Sequence, residues 1–327
     1  ARNFFVGVEQ PGLGRLVMPG VPYRFGRTPC VARGPAPHVD EHAAELPRLL
    51  TRAAPAIAGA DANEAPLAGL RVLEFTAGMA GPWIGRMLAW CGADVIKVES
   101  KAYPDVTRLY IPPREPERGI QPELSPWFTD WNAGKRFVSL DLRNAGGATL
   151  ARRLAAACDV VIDNNSTGVL AKLGLGFDVL QALAPGLVLL SSTGYGDSGP
   201  DHHYVSWGPN IETLSGMASV SGFPWRDCTM TQFAYPDPLS ALHGLVAILA
   251  ALAHRQRTGE GQRIDLSQLE TTVAAIGHLA LEWQLGGREP LRHGNASPAH
   301  VTQGCYPCRG EDRWCVIAID GDAQWER

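Results

Sequence analysis

Arg71-Val-Leu-Glu-Phe-Thr76-Ala-Gly78-Met-Ala-Gly81-Pro82-Trp-Ile-Gly85 is the stretch on which the reading of this chain turns. Arg71–Thr76 reads as a strand. Pro82–Trp90 reads as a short helix with proline in its first turn, where a missing N–H costs nothing. Asp94–Glu99 follows as a second strand. A glycine turn between a strand and a helix puts backbone N–H groups where an anion can meet them. Glu99 lies about 20 residues further on, as the acidic ribose contact of a dinucleotide fold does. The spacing, however, is G-x-x-G-x-x-x-G and not G-x-G-x-x-G. The residues alone leave three readings open: a nicotinamide site, another nucleotide-like ligand, or a tight turn with no ligand.

Outward from this stretch the alternation continues. Phe137–Leu142 is strand-like, Ala145–Cys158 is an alanine-rich helix and Asp159–Asp163 is another strand. Helical pieces at Gly168–Leu173 and Phe177–Leu183 precede the strand Leu187–Ser192. Short apolar, β-branched runs separated by helices predict an α/β fold, with a parallel sheet covered on both faces. Further on, Asn210–Met217 is a short helix. Pro238–Arg257 is apolar enough along its first four turns to predict burial. Gln262–Leu266 is a strand, and Ser267–Leu285 a second long helix. From Arg288 the chain is loop-rich, with a strand at Trp314–Ile319. Upstream, the first 50 residues are rich in Gly and Pro, with one strand-like run and a helix at Glu41–Leu50. Ala53–Pro66 has the composition of a linker.

The 327 residues carry a net charge of −4, with 45% apolar and 19% charged residues. That suits a sizeable core and excludes general disorder. A faintly acidic chain lacks the basic footprint of a nucleic-acid or membrane-surface binder, so neither is expected as a partner. The longest apolar run, Leu239–Ala253, contains His243 and falls short of the roughly 20 residues of a membrane span. Seven scattered cysteines (Cys30, Cys91, Cys158, Cys228, Cys305, Cys308, Cys315) point to a reducing cytoplasm. Cys305-Tyr-Pro-Cys308 is a single CxxC. Zinc would want a second pair or two histidines, so no metal is predicted.

Several segments become more specific when taken together. Leu67-Ala-Gly-Leu-Arg-Val-Leu-Glu-Phe-Thr76, Ala80-Gly-Pro82 and Met87-Leu-Ala-Trp-Cys-Gly-Ala-Asp-Val-Ile-Lys-Val-Glu99 form one group. Pro104-Asp105-Val-Thr-Arg108, Asn132-Ala-Gly-Lys135-Arg136 and Asp163-Asn164-Asn-Ser-Thr-Gly168 follow in order. Ser192-Thr-Gly194-Tyr195-Gly196 comes next, then Thr258-Gly-Glu-Gly-Gln262 with Ile264-Asp265 and Glu270. This ordered set resembles the family III CoA-transferases, with their carnitine, bile-acid and formyl-CoA transferase members and acyl-CoA racemase relatives. The resemblance implies a Rossmann-like large CoA-binding and catalytic domain over residues 67–285. Residues 286–327 would be a connection and the start of a smaller α+β domain. Residues 1–52 resemble the family's return segment, and residues 53–66 would link it to the rest. A tail before a head implies two fused copies, with this chain spanning their junction, and a family-type interlocked dimer.

Asp237, in Ala234-Tyr-Pro-Asp237-Pro238-Leu, reads on its own as an ordinary helix cap with Pro238 at the first helical position. The helix dipole favours negative charge there. The resemblance implies that Asp237 is the catalytic carboxylate, passing through aspartyl anhydride and aspartyl-CoA intermediates. The substrates would be an acyl-CoA and a small carboxylic acid, with coenzyme A carried in substrate and product. It further implies CoA contacts at Met79, Ala80, Arg108, Trp131, Asn132, Gly134, Lys135, Asn164, Asn165, Lys172, Gly194 and Tyr195. Lys135, Arg136, Arg108 and Lys172 would offer charge for phosphate. Ser215-Gly216 and Ser221-Gly222 are either oxyanion donors or plain turns. The chain departs from the family at Met79, where some members have Gln, at Ser100, where some have Arg, and at Asn165-Ser-Thr167, where the family has Phe-x-Pro. Racemase relatives use a His in the segment that here reads Trp207-Gly208-Pro209-Asn210. Two-base proton exchange therefore lacks one base, which favours transfer. A racemase-like enzyme and a catalytically silent half of a fused dimer remain alternatives. His243, about 240° around the helix from Asp237, is not expected at the same site.

Overall fold

The computed structural model describes residues 2–10, 12–28, 65–110, 125–287, 289–297 and 302–326. The helix expected over 41–50 and most of the expected linker lie outside the described residues. β1 (Phe5–Gln10) and β2 (Gly14–Pro19) form an antiparallel hairpin, and β3 (Tyr23–Phe25) follows. β4 (Arg71–Phe75) leads into α1 (Ala80–Trp90) and β5 (Asp94–Glu99). α2 (Pro126–Trp131), capped by Ser125, precedes β6 (Arg136–Ser139). α3 (Ala145–Ala156), capped by Asn144, returns the chain to β7 (Val160–Asp163). The short helices α4 (Val169–Lys172) and α5 (Phe177–Leu183) lead to β8 (Val188–Thr193). α6 (Gly208–Leu214), α7 (Met217–Val220) and the long α8 (Pro236–Thr258) come before β9 (Arg263–Ser267). α9 (Gln268–Ala275), α10 (Gly277–Gly286), the antiparallel pair β10 (Thr302–Pro307) and β11 (Trp314–Ile319), and α11 (Asp322–Trp325) complete the described elements.

Seven strands form one sheet in the order β3-β9-β8-β7-β4-β5-β6, parallel throughout except for β3 against β9. From β4 the chain steps outward to β5 and β6. It then crosses to β7 and steps outward the other way to β8 and β9. This is the Rossmann order, and its reversal between β4 and β7 opens a crevice at the carboxyl ends of those strands. β7 and β8 are buried along their whole length, which is why short β-branched runs, without alternation, mark the strands. One face packs Val72, Val160, Val188 and Ile264 against α1 and α8. The other packs Leu73, Val161 and Leu189 against α3 and α5.

α8 is seated by small residues. A Cβ at Gly244 would come within 2.8 Å of the Ile84 side chain and 3.1 Å of Leu190. The Ser192 and Ser240 hydroxyls bond across the same seam at 3.0 Å. Its other side is open, with Leu242 and Val246 each 54% exposed, so the burial expected for the first four turns holds for one face only. The helix is long and apolar enough to cross a membrane by length and composition, but its packed face belongs to the sheet's core.

The single helix expected over Ser267–Leu285 is two helices, broken at Ile276. The N-terminal region holds three strands where one strand-like run was expected, and β10 lies within the stretch expected as loop.

Candidate functional site

The glycine turn has a packing explanation. Gly78 has a φ of +77°, a conformation costly for any residue with a side chain. At Gly81 a Cβ would stand 2.7 Å from the Thr76 side chain and 2.8 Å from Asn164, so glycine lets α1 lie directly on the ends of β4 and β7. Asn164 closes the arrangement, accepting from the Ala77 N–H at 2.9 Å and donating to the Ala77 carbonyl at 2.8 Å. The two loops at the crevice are thus tied to each other.

Beneath the turn lies a buried ionic cluster. Lys135 Nζ meets Glu74 Oε1 at 2.7 Å, and Lys97 Nζ meets Asp105 Oδ2 at 3.0 Å and Glu74 Oε1 at 3.6 Å, all four side chains being fully buried. Lys97 donates to the Thr76 carbonyl at 2.5 Å, Lys135 to the Pro82 carbonyl at 2.8 Å, and Asp105 accepts from the Gly78 N–H at 3.1 Å. Burial depresses Lys135 to about 8, against the pull of Glu74. Burial pushes the Asp105 carboxyl up, but Lys97 and the N–H groups of Thr107 and Gly78 hold it below its ordinary value.

Asp237 is the second residue of α8, two positions further in than the cap expected for it, because Tyr235 is the cap and the helix already begins at Pro236. Its Oδ1 accepts from Gln268 Nε2 at 3.1 Å, and the backbone N–H of Ala80 also donates to its carboxylate. The N-termini of α1 and α8 therefore both direct partial positive charge at it. Burial nevertheless pushes its carboxyl up to about 6, the two hydrogen bonds opposing the shift. At Gly208 an added Cβ would collide with Asp237 Oδ2 and with Ala234.

Three cavities run in series past this carboxylate. The first, about 530 Å³, lies over the ends of β4 and β5, with Glu99, Tyr103, Arg143 and Lys172 on its wall. It shares Ala77, Pro104, Asn165 and Ser166 with a second of about 270 Å³, lined also by Met79, Asn164, Gly194 and Gln268. The second shares Met79, Val106, Trp207, Gly208 and Asp237 with a third of about 280 Å³, walled by aromatic rings. Asp237 stands where the second and third meet.

The residues singled out from sequence divide accordingly. Met79, Asn164, Asn165, Lys172, Gly194 and Trp131 line one or more of these cavities, and Ala80 touches Asp237 through its N–H. Lys135 and Asn132 are turned inward, Asn132 Oδ1 accepting from Lys135 at 3.0 Å. Gly134 supplies a positive-φ turn beside them. Arg108 is paired with Glu99 at 2.7 Å and lies 3.6 Å over the Phe128 ring. Arg136 pairs with Asp94 at the opposite ends of the strands. Of the four expected phosphate cations, Lys172 is the one on the wall of the first cavity. Tyr195 is off the walls of all three. Ser215-Gly216 lies on a separate groove beside α10. Gly222 is a positive-φ turn. His243 packs beside Tyr23, its ring held below its ordinary value by burial. Sequence reading missed Gln268, Arg143, the Glu74–Lys97–Asp105 cluster and the aromatic cavity. A buried Lys within a strand (Lys97) was the one local hint.

The model of CoA-transferase family III matches residues 67–327. The chain belongs to that family. A succinate–glutarate CoA-transferase of Agrobacterium fabrum is 36% identical over 262 residues, 80% of this chain and 65% of that protein. A succinyl-CoA–D-citramalate CoA-transferase of Chloroflexus aurantiacus is 34% identical over 262 residues, covering 80% and 63%. The crystal structure of a CAIB/BAIF family protein from Brucella suis superposes with a TM-score of 0.74 at 35% identity, covering 80% of this chain and 68% of that one. The chain spans less than two thirds of the length of these two curated relatives.

Proposed function

We propose that this family III member moves CoA from an acyl-CoA donor to a free carboxylic acid through Asp237. The observation that carries the reading is the position of this carboxylate on the shared wall of two cavities, reached from the switch point of the sheet. A thioester whose nucleotide end occupies the first cavity, near Lys172 and Arg143, threads its pantetheine arm along Ala77, Asn164 and Gly194 and presents its carbonyl to Asp237.

The Asp237 carboxylate attacks that carbonyl and expels CoA thiolate, leaving a mixed anhydride. The thiolate attacks the aspartyl carbonyl, releases the first acid as its carboxylate and leaves an aspartyl-CoA thioester. An acceptor carboxylate attacks the same aspartyl carbonyl, expels the thiolate and forms a second anhydride. The thiolate then takes the new acyl group and frees Asp237. Each step exchanges one activated acyl bond for another. An oxygen of the aspartyl group becomes an oxyanion twice, and the Gln268 amide and Ala80 N–H already donate to this carboxylate.

The second half of the reading concerns chain organisation. The described N-terminal segment completes the sheet through β3, outside the family match, as a return segment from a preceding copy would. In a probable CoA-transferase of Mycobacterium tuberculosis, the aligned 275 residues are 33% of the chain, room for more than one such unit. The partner would be that second copy, and a reducing cytoplasm the setting.

The test is to incubate the full-length protein with acyl-CoAs and hydroxylamine and to map the product by peptide mass spectrometry. A hydroxamate at Asp237, lost in Asp237→Ala, supports the reading. Transfer that survives Asp237→Ala assigns catalysis elsewhere.

A further inference from the structure

We propose that the acid handled at Asp237 is a monocarboxylic acid with a compact aromatic or apolar body, selected by the aromatic cavity beyond the carboxylate. This rests on the reading of Asp237 as the acyl acceptor. It adds which acyl group the site takes.

The series of cavities fixes what goes where. The nucleotide end and the arm of a CoA thioester use the first two, so the acyl group projects past Asp237 into the third. Donor and acceptor acids form the same kind of anhydride on the same side chain, so one pocket serves both. That pocket, about 280 Å³, sits at the small end of ligand sites.

Five rings, Tyr110, Trp127, Trp131, Trp207 and Phe233, line it together with the uncharged polar side chains of Thr107 and Gln232. Ring contacts hold Tyr110, Trp127, Trp131 and Phe233. Trp131 is 5% exposed and stacks on Trp83 at 6.5 Å with an interplanar angle of 14°. Trp127 meets Trp131 edge-on at 4.9 Å, Tyr110 meets Trp127 at 6.2 Å, and Phe233 meets Trp83 at 6.4 Å. Tyr110, Trp127 and Trp207 nonetheless leave 51%, 41% and 56% of their surface open. Ring faces and edges fixed in place but uncovered favour a flat or compact apolar body, through both area and ring geometry.

Charge points the same way. Every described lining side chain other than Asp237 is uncharged. A second carboxylate on the substrate would lose its water beside a carboxylate of the same sign, against apolar rings. A monocarboxylic acid spends its one charge in forming the anhydride and leaves nothing charged in the pocket.

The experiment is self-exchange in the full-length protein, which needs only one acid at a time. Phenylacetyl-CoA with isotope-labelled phenylacetate is compared with glutaryl-CoA and labelled glutarate. The expected result is a kcat/KM at least tenfold higher for the phenylacetyl pair. Trp127→Ala should cut that ratio at least fivefold, chiefly through a higher KM. Phenylacetate, and not glutarate, should change tryptophan fluorescence saturably in Asp237→Asn, which reads binding without turnover. Glutaryl exchange equal to or faster than phenylacetyl, with a hydroxamate still forming on Asp237, overturns this inference and leaves the transferase reading standing. Absence of exchange with either acid, and of any adduct, overturns both.

Discussion

Asp237 carries a charge that its surroundings resist and that the proposed role as nucleophile requires. Burial raises its carboxyl to about 6, while Gln268 and the Ala80 N–H pull the other way. Two outcomes follow from that balance. As the proposed nucleophile must be ionised, kcat/KM should rise with pH and level off above about pH 6. A profile flat from pH 4.5 to 8 in steady-state assays would contradict the assignment. The second outcome is a gain in stability on removing the charge. A folded pKa above the unfolded 3.8 means that folding favours the protonated form, so stability falls as pH rises from about 4 to 6 and stays reduced above. Asp237→Asn should therefore abolish transfer yet raise stability at pH 8 by up to ~3 kcal/mol. That gain should vanish near pH 4. Thermal unfolding of both proteins at the two pH values decides the matter.

Among the elements, the turn between β4 and α1 depends on two buried lysines. Lys97 and Lys135 hold the Thr76 and Pro82 carbonyls, and Asp105 holds the Gly78 N–H. The same turn presents the Ala80 N–H to Asp237. A buried pair contributes little net stability, but breaking one is costly because it strands a charge. Lys135→Met should cost about 3–5 kcal/mol in urea unfolding, since Glu74 loses its nearest cation. Replacing Glu74 as well, by Met, should recover most of the loss, because Lys97 and Asp105 remain paired at 3.0 Å. A double-mutant cycle measures this coupling, and additive losses would show that the pair does not act as a unit.

At the scale of the molecule, the N-terminal segment is part of the large sheet. β3 pairs with β9, and Arg2 meets Asp265 at 2.6 Å and Glu270 at 2.7 Å, 8% exposed. Burial already holds Glu270 above its ordinary value against Arg2's pull. Arg2→Met removes that pull, so the carboxyl rises further and its ionised form is disfavoured in the folded state. The variant should lose about 3 kcal/mol at pH 8 and less at pH 5, where the acid protonates. Denaturation midpoints at both pH values test this, and an equal loss at each would show that the ion pair is not the cause. Much of this architecture was legible from residues alone. Buried parallel strands need apolar residues on both faces, so the runs from Arg71 to Ser192 announce themselves locally. The proline-marked start of α8 places Asp237 within two positions of its helical site. Other features are decided by contacts between residues far apart in sequence. Lys135 stands in a motif like a surface cation, yet the sheet order turns it onto Glu74, 61 residues away. Trp127, Trp207 and Phe233 carry no shared spacing, and they become one wall only because α2, α6 and the approach to α8 converge on the same crevice. Periodicity reports which face of an element is apolar. Which faces meet, and so which charges are buried and which rings share a cavity, is settled when the strands take their order.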